Sequence, residues 1–202
     1  SDVSITDTTT KSSEFISNNH TIQILADISE EVDRKEIIAD LSMFSDYNMS
    51  EYPDYITGNK AVWIIENAKC TLEDGEFFIP ISLKDRGTLG SNYGLTCLDT
   101  QEPEVFIYKP RSGMYMRDRE LFSIGNLPYS IVIGDIWVTA DLEDESGINS
   151  VKWYVNENMI SDDESTNKIE LTGNYKLFNR IGISVEDKAG NTNHDEIEIL
   201  KI

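Results

Sequence analysis

The sequence predicts an all-β protein that is built from two β-sandwiches in tandem. The first observation is residues 181–187, where apolar and polar side chains alternate until a Gly-Asn turn at residues 188–191. The second is an alternating segment at residues 136–142, which ends in an acidic turn. The third is residues 151–155, in which every second side chain is apolar. Short alternating segments separated by turn residues are typical of a sandwich.

A proline-containing linker at residues 99–103 divides the chain into predicted domains at residues 1–101 and 102–202. Residues 85–87 (Asp-Arg-Gly) follow a predicted strand in the first half, and residues 187–190 (Asp-Lys-Ala-Gly) follow one in the second half. This correspondence predicts a weak internal repeat with a period of about a hundred residues. The chain starts and stops beside strand-like segments, so we expect a piece of a longer, processed protein.

The composition excludes several classes of partner. The 202 residues carry a formal net charge of −20, with 39% hydrophobic and 27% charged residues, which is typical of a globular protein. Nucleic acid and anionic membrane surfaces both require a basic patch, so neither is an expected partner. No apolar run reaches the length of about 20 residues that a membrane-spanning helix needs. The acidity indicates solubility, or alternatively binding of a divalent cation.

In the first half, strands are predicted at residues 3–7, 21–28, 35–44, 61–65, 76–85 and 93–98. The strand at 35–44 resembles a helix in composition, but its apolar residues recur at every second position. Residues 48–59 are polar and predict a surface loop. Pro80 takes an outward position in its strand and cannot donate to a ladder, so we expect an edge strand or a bulge there.

In the second half, strands are predicted at residues 105–110, 136–143, 151–155, 168–171, 181–187 and 196–202. The stretch at residues 114–133 is longer than an ordinary connection, so it needs structure of its own or packing against the sandwich. Residues 158–167 are polar and acidic and predict a connection.

Three motifs carry a family resemblance: residues 144–148 (Asp-x-Ser-Gly-Ile), 151–155 (Val-x-Trp-Tyr-Val) and 185–191 (Val-x-Asp-Lys-Ala-Gly-Asn). They resemble the immunoglobulin-like and fibronectin III-like repeats of bacterial and archaeal secreted and cell-surface proteins. A Gly-x-Tyr-x-x-x-Arg-Glu-like stretch of related archaeal repeats is matched at residues 113–120. The resemblance implies tandem immunoglobulin-like sandwiches that act as spacers, adhesive modules or accessory domains of secreted enzymes.

No catalytic motif stands out. The two histidines, His20 and His194, have no cysteine or acidic residue at a metal-binding spacing. Neither a Gly-x-Ser-x-Gly elbow nor a phosphate-binding loop is present in the sequence. The sequence therefore predicts a protein without enzymatic activity and without an organic cofactor.

Two cysteines, Cys70 and Cys97, are an even pair in an expected extracellular context, which favours a disulfide. Cys70 ends one predicted strand and Cys97 ends the strand after the next, so the chain returns to the same pole. The alternative is a pair of buried free thiols, which pack as small hydrophobic side chains.

Clustered acidic residues predict a calcium site where loops share a pole of the second sandwich. The candidate ligands lie in the linker and in two turns: Asp99, Glu102, Asp141, Asp144, Asp187 and Asn191. The alternative is ordinary turn chemistry, in which Asp and Asn side chains bind their own backbone. The spacing is not that of an EF-hand loop.

Trp153 shares a face with apolar residues and is expected in the core, whereas Trp137 shares a face with polar ones. Trp137 is therefore either exposed, where it could stack on a sugar, or covered by residues 114–133, which we favour. Asn19 and Asn48 begin glycosylation sequons in predicted loops or strand edges.

These observations favour a structural or adhesive module of a secreted or cell-surface prokaryotic protein. Its expected partners are other domains of the same protein or a partner protein, which would be contacted through exposed strand edges. The alternative is an accessory, carbohydrate-binding module of a secreted hydrolase.

Overall fold

The computed structural model describes residues 2–28, 32–83, 92–125, 127–162, 166–173 and 177–202. The predicted repeat turn at residues 85–87 lies outside these residues. The chain divides into two units, Ser1–Thr100 and Gln101–Ile202. Within the described ranges every element is a β-strand except one 3₁₀ turn at Arg34–Glu36, so the all-β prediction is confirmed. The same ranges contain no helix that is long and apolar enough to cross a membrane.

The first unit is a sandwich of two four-stranded sheets. Its strands are β1 (Val3–Asp7), β2 (Phe15–Ile16), β3 (Ile22–Asp27), β4 (Ile37–Ala39), β5 (Tyr55–Thr57), β6 (Lys60–Ile65), β7 (Gly75–Leu83) and β8 (Asn92–Leu98). One sheet has the order β1-β3-β6-β5 and the other β2-β8-β7-β4. Strand β2 pairs parallel to β8, and the other pairs are antiparallel. This is the A-B-E-D and A′-G-F-C arrangement of an immunoglobulin-like sandwich.

The core of the first unit lies between the inward faces of these sheets. The alternation of β3 buries Ile22, Ile24 and Ala26, as the sequence predicts. Trp63 on β6 is 1% exposed, and its indole Nε1 donates to the carbonyl of Glu51 at 3.0 Å. A large apolar surface is thereby buried without leaving the indole N–H unsatisfied.

The predicted strand at residues 35–44 is only partly right. The strand ends at Ala39 because the Asp40 side chain accepts hydrogen bonds from the Ser42 N–H and hydroxyl, a local turn that competes with the ladder. Leu41 and Met43 are nevertheless buried. The strands β2 and β5 are not predicted from the sequence, because two and three residues are too few to show a period.

Pro80 points outward as predicted, but β7 is not an edge strand and its pairing with β8 shows no bulge. The Pro80 carbonyl accepts from the Asp40 N–H at 2.9 Å, so the Pro80 nitrogen faces the same side. On that side the ladder with β4 ends at the pair Ala39–Ile81. The proline therefore lies just beyond the end of the β4 pairing, where its missing N–H removes no bond within the paired segment.

The second unit joins a three-stranded sheet to a seven-stranded one. Its strands are β9 (Glu104–Lys109), β10 (Gly113–Met116), β11 (Arg119–Ser123), β12 (Tyr129–Ile133), β13 (Ile136–Glu143), β14 (Ile148–Val155), β15 (Asn158–Asp162), β16 (Lys168–Leu171), β17 (Phe178–Asp187) and β18 (Thr192–Lys201). The sheet orders are β16-β13-β9 and β11-β10-β12-β18-β17-β14-β15. Without β10 and β11 this is again an immunoglobulin-like order, so the prediction of two tandem sandwiches is confirmed.

The long stretch at residues 114–133 does carry its own structure. It contains most of β10, all of β11 and β12, and forms a hairpin that extends the larger sheet. The predicted connection at residues 158–167 is partly wrong, because β15 starts it and pairs with β14. The side chains of β11 and β15 are almost all exposed, so neither strand shows the alternation of apolar and polar residues that predicts a strand.

The core of the second unit contains Trp153, whose side chain is fully buried as predicted. Its indole Nε1 donates to the carbonyl of Thr166 at 2.9 Å. Lys201, near the end of β18, is also buried, and its Nζ donates to the Leu171 carbonyl at 2.8 Å. Burial lowers the pKa of Lys201, while the carboxylate of Asp135 at 4.0 Å opposes that shift. This lysine links the two sheets, which the sequence pattern does not indicate.

The close approach of β1 and β8 gives a stability prediction. A Cβ at Gly94 would lie 2.6 Å from Ile5 Cδ1 and 2.9 Å from Val3 Cγ1, so the side chains of Ile5 and Val3 would have to move to make room for it. We expect Gly94→Ala to lower the free energy of unfolding by about 1–3 kcal/mol through overpacking. Urea denaturation measures this, with Gly125→Ala as the matched control because its Cβ would meet nothing within 4 Å. An unchanged stability of Gly94→Ala would contradict the packing.

Candidate functional site

The turn between β13 and β14 is closed by Asp144. Its Oδ1 accepts hydrogen bonds from the Ser146 N–H at 2.8 Å, the Ser146 hydroxyl at 2.7 Å and the Gly147 N–H at 2.9 Å. Gly147 has φ +90°, a conformation that favours glycine. This is the turn chemistry that the sequence offers as the alternative to calcium.

The turn between β17 and β18 is built in the same way around Asp187, which is fully buried. Asp187 Oδ1 accepts from the Asn191 N–H at 2.9 Å, and Oδ2 accepts from Asn191 Nδ2 at 2.8 Å. The Lys188 N–H donates to the Gly147 carbonyl at 2.9 Å, which ties this turn to the preceding one. Both acidic turns therefore share one pole of the second unit, as predicted.

The structure brings only some of the six predicted calcium ligands together. Carboxylate oxygens of Asp144 and Asp187 lie within 4.8 Å of one another. Asp141 is exposed on the outer face of β13, opposite Phe106, and Glu102 is exposed as well. Asp99 is buried in the first unit, where its N–H donates to the Ile16 carbonyl at 3.1 Å. Calcium binding stays a prediction that rests on the two turn carboxylates.

The structure does not contain the predicted disulfide, since Cys70 and Cys97 are both free thiols. Cys70 packs against the core of the first unit. Cys97 has the opposite parity to Thr96 and Leu98, which are buried, so it lies on the outward face of β8. The two thiols therefore point in different directions in this structure, and the disulfide stays a prediction.

The histidines do not form a metal cluster with other His, Cys, Asp or Glu side chains in the described part of the chain. His20 Nδ1 lies 2.7 Å from Asp7 Oδ2, and Asp7 is fully buried. Asp7 Oδ1 accepts from the N–H groups of Thr9 and Thr10. This arrangement holds the turn after β1. The sequence does not predict this pair, because no local pattern links residues thirteen positions apart.

Trp137 is 37% exposed on the outer face of the three-stranded sheet, so the favoured interpretation, burial under residues 114–133, is wrong. Phe106 and Tyr108 on β9 are exposed as well. The Trp137 ring is not bare, because Lys168 Nζ lies 5.3 Å from its centroid. Arg111 similarly lies over the Phe106 ring at 3.7 Å. Cations covering these rings reduce the area available for stacking on a sugar.

The first unit has an apolar outer face on β7 and β8 that the sequence analysis did not single out. Phe78, Tyr93 and Leu95 are 57%, 59% and 49% exposed. Phe78 pairs with Leu95 across the strands, and the rings of Phe78 and Tyr93 are 5.0 Å apart, edge to face. Adjacent exposed apolar side chains are typical of a protein contact surface.

Both sequon asparagines are exposed at the surface of the first unit. Asn19 has φ +64° and lies in the turn before β3. Asn48 Nδ2 donates to Glu51 Oε1 at 2.9 Å. Both positions are therefore sterically open to a glycan, and modification stays a prediction.

No protein-family model and no curated protein matches the chain. Solved structures with a similar chain include the fibronectin(III)-like modules of Clostridium thermocellum CbhA, at 15% identity and TM-score 0.46, covering 93% of this chain and 88% of that one. Another is the Ig1-2 module of Drosophila receptor protein tyrosine phosphatase DLAR, at 9% identity and TM-score 0.32, covering 100% and 98%. DIP-gamma IG1+IG2 has 8% identity and TM-score 0.36, covering 93% and 92%. Likeness at this level says nothing about activity; the assignment of the sandwich rests on its strand order.

The Asp144 turn gives a second prediction. We expect Asp144→Ala to lower the free energy of unfolding by about 1–2 kcal/mol, because three hydrogen bonds to Oδ1 are lost. Asp141→Ala is the control, since that carboxylate is exposed on the strand.

Thermal melts in EDTA and in millimolar Ca²⁺ test the ion separately. A melting temperature of the unaltered chain that Ca²⁺ does not move would end the calcium hypothesis.

The cysteines give a third prediction. Burial, with a contribution from Asp74, raises the pKa of the Cys70 thiol to about 11. Burial, then Glu76 and Glu14, raises the pKa of Cys97. At about pH 8 few of the thiols are ionised, so we expect slow reaction with Ellman's reagent in the folded protein and two thiols after unfolding without reductant. If the unfolded, unreduced protein has no free thiol that reacts with the reagent, the disulfide is established instead.

Proposed function

We propose that the chain is a non-catalytic contact module of a secreted or cell-surface prokaryotic protein, and that it binds a partner protein by adding a strand at β11. The observation that carries this proposal is the exposure of β11, the outermost strand of the seven-stranded sheet. All five residues of β11 are exposed, and Leu121 and Phe122 are 50% and 52% exposed.

An edge strand offers unpaired N–H and C=O groups to an extended segment of another chain. Native edges are commonly protected by charged side chains and bulges, and β11 has Arg119, Glu120 and a bulge in its pairing with β10. Its middle nevertheless presents the apolar side chains of Leu121 and Phe122. Backbone groups supply affinity in such a contact, and these side chains supply specificity. The arrangement supports an extended peptide with apolar side chains as the occupant.

The edge is held in place before a partner arrives. The turn between β10 and β11 has positive φ at Arg117 and Asp118, the conformation of a tight hairpin turn. Asp118 Oδ1 accepts from Lys109 Nζ at 2.7 Å and from the Trp137 N–H at 2.9 Å. Burial raises the pKa of Asp118, but the Lys109 and Trp137 hydrogen bonds and the Lys109 charge outweigh it and hold that pKa below its usual value. A fixed hairpin lowers the entropic cost of binding.

The charge of the chain restricts the partner. At a net charge of −20, a second copy of this chain is repelled, so we infer a partner that is neutral or basic. The apolar face formed by Phe78, Tyr93 and Leu95 supports protein contact as the function. The exposed sequon positions are compatible with a location outside the cell. Calcium at Asp144 and Asp187 would stiffen the turns of such a module.

The cation over Trp137 argues against sugar binding at this ring as a second function. The indole is exposed enough to reach a ligand, but Lys168 lies over the ring. A glycan array of the chain would separate an accessory carbohydrate-binding module from a contact module, since only the former retains a defined glycan.

Strand addition gives a fourth prediction. Extended peptides selected by phage display against the chain are expected to bind wild type, and Leu121→Lys or Phe122→Lys should weaken them by roughly tenfold or more. Both side chains are exposed, so the melting temperature should not change. Leu72→Lys is the matched control, because Leu72 is 48% exposed in the first unit. Selected peptides that bind both β11 variants as tightly as wild type would exclude β11 as the contact edge.

A further inference from the structure

The outer face of the seven-stranded sheet carries a line of apolar side chains that crosses four neighbouring strands. Met114 on β10 pairs with Ile131 on β12, and Ile131 pairs with Leu200 on β18. Leu200 pairs in turn with Phe178 on β17. Paired residues of neighbouring strands lie on the same face of a sheet, so these four side chains stand side by side. We call them the apolar stripe.

The apolar stripe is not part of the core. Along each strand, the residue that follows or precedes a stripe member is buried on the opposite face: Tyr115, Val132, Ile199 and Asn179. Phe178 itself is 54% exposed, and its ring lies 5.7 Å from that of Tyr129, edge to face. Adjacent apolar side chains on a solvated face are typical of a surface that contacts another protein.

The backbone beneath the apolar stripe decides which kind of segment can cover it. Each of the four strands has a hydrogen-bonded neighbour on both sides. An extended segment on this face therefore finds no ladder partner, and its own N–H and C=O groups lose the bonds that an edge strand would give them. A helix satisfies these groups internally and presents only its side chains, so it fits this face better.

The spacing of the apolar stripe also matches a helix. Neighbouring strands are about 4.8 Å apart, so the stripe offers one apolar side chain about every 5 Å over a length of about 14 Å. One face of a helix repeats about every 5.4 Å, whereas one face of an extended strand repeats about every 6.7 Å. An amphipathic helix of about 12 residues, apolar at every third or fourth position, therefore covers the stripe from end to end.

A groove continues this face beyond Phe178. It has a volume of about 500 Å³, and Phe178, Glu157 and Glu198 are among the residues that line it. Glu157 lies in the tight turn between β14 and β15, where Asn156 and Glu157 have φ +50° and +68°. The Asn156 side chain holds this turn against β17, since its Oδ1 accepts from the Arg180 N–H at 3.0 Å. The groove is therefore formed before a partner arrives.

The groove has an excess of negative charge. Arg180 lines it, with Nε 3.6 Å from Glu196 Oε1 and Nη2 3.7 Å from Glu198 Oε1. The three carboxylates of Glu157, Glu196 and Glu198 therefore face one guanidinium, which leaves two negative charges in excess. A lysine or arginine of a partner is attracted to this charge, and its aliphatic stem can lie against the Phe178 ring. The net charge of −20 favours the approach of a basic partner in the same way.

Gly182 leaves additional room beside these carboxylates. It pairs with Tyr154 on β14 and with Glu196 on β18, and a second groove of about 380 Å³ lies beside it. A Cβ at Gly182 would lie 3.8 Å from the Asp195 carbonyl, which is ordinary contact, in contrast to Gly94. The missing side chain therefore leaves an open space on the outer face, next to the acidic groove.

We propose that the apolar stripe docks an amphipathic helix of a partner protein, and that a lysine or arginine at one end of this helix enters the groove between Glu157 and Glu198. An acidic helix is disfavoured, because it would meet the carboxylates of the groove. The stripe contains no residue of β11, so this contact does not depend on strand addition at that edge.

Three synthetic peptides of about 12 residues test the occupant. The first contains leucine and lysine in equal number, with leucine on one helical face. The second alternates the same residues, and the third replaces the lysines of the first with glutamate. In an NMR titration of the isotope-labelled full chain, the first peptide is expected to shift the signals of Ile131, Leu200 and Glu157 in a saturable way. It should also gain helical circular dichroism on mixing, because a helix of this length is marginal by itself in water.

Substitutions at the two ends of the contact test the surface. Phe178→Lys should weaken binding of the first peptide by about tenfold or more, and its fold should persist because the side chain is 54% exposed. Glu157→Gln should weaken binding by about two- to fivefold, the usual size of a partly exposed ion pair. Phe78→Lys is the matched control for the aromatic substitution, since Phe78 is 57% exposed in the first unit. Glu170→Gln is the control for the carboxylate, since Glu170 is exposed on the smaller sheet.

The proposal is overturned if the first peptide shifts none of these signals, or if Phe178→Lys binds it as tightly as wild type does. It is also overturned if the alternating peptide or the glutamate peptide binds the stripe as tightly as the first. Leu121→Lys should weaken the alternating peptide, which is the one suited to strand addition, and leave the helical peptide unaffected. Failure of strand addition and failure of helix docking therefore give different results.

Discussion

Both sandwiches depend on burying the inward face of two sheets around a tryptophan whose indole N–H still finds an acceptor. Trp63 reaches the Glu51 carbonyl and Trp153 reaches the Thr166 carbonyl, and each carbonyl belongs to a segment outside the strand that carries the ring. An unsatisfied indole in the core would offset part of the gain from burying it. The two hydrogen bonds therefore hold the segments that contain Glu51 and Thr166 against the buried tryptophans.

The apolar side chains on the inward faces are needed for the core. The side chains on the outward faces and edges are not, so they can differ between the two units. The first unit uses this freedom for an apolar face at Phe78, Tyr93 and Leu95. The second unit presents Trp137 with Lys168 over its ring, a groove beside Gly182 and an exposed edge at β11. The contrast between Gly94 and Gly182 shows the same division, since one glycine serves inward packing and the other leaves an outward space.

Acidic side chains have two roles that their positions separate. Asp7, Asp144 and Asp187 lie at the ends of strands or in turns and accept backbone N–H groups, so they fix the turns. Glu196 and Glu198 lie along a strand, about half exposed, beside Arg180. Some of the acidic residues behind the net charge of −20 therefore hold turns, and others lie on the solvated surface. Only the surface carboxylates are free to interact with a ligand or partner.

The sequence by itself determined the all-β class, most long strands, the inward sets such as Ile22, Ile24 and Ala26, and the burial of Trp153. It could do so because a period of two is a local property of the chain. The acidic turns at Asp144 and Asp187 were also predictable, since Asx turns involve residues a few positions apart.

Only the tertiary structure decided which distant residues meet. It placed Cys97 on the outward face of β8, paired Asp7 with His20, left Trp137 partly exposed beneath Lys168 and set Tyr154, Gly182 and Glu196 in one row. Each of these depends on strand register and on sheet order, which no local pattern encodes. A shift of one residue in pairing would move every side chain to the other face, so a site on a sheet is fixed only when the whole sandwich is packed.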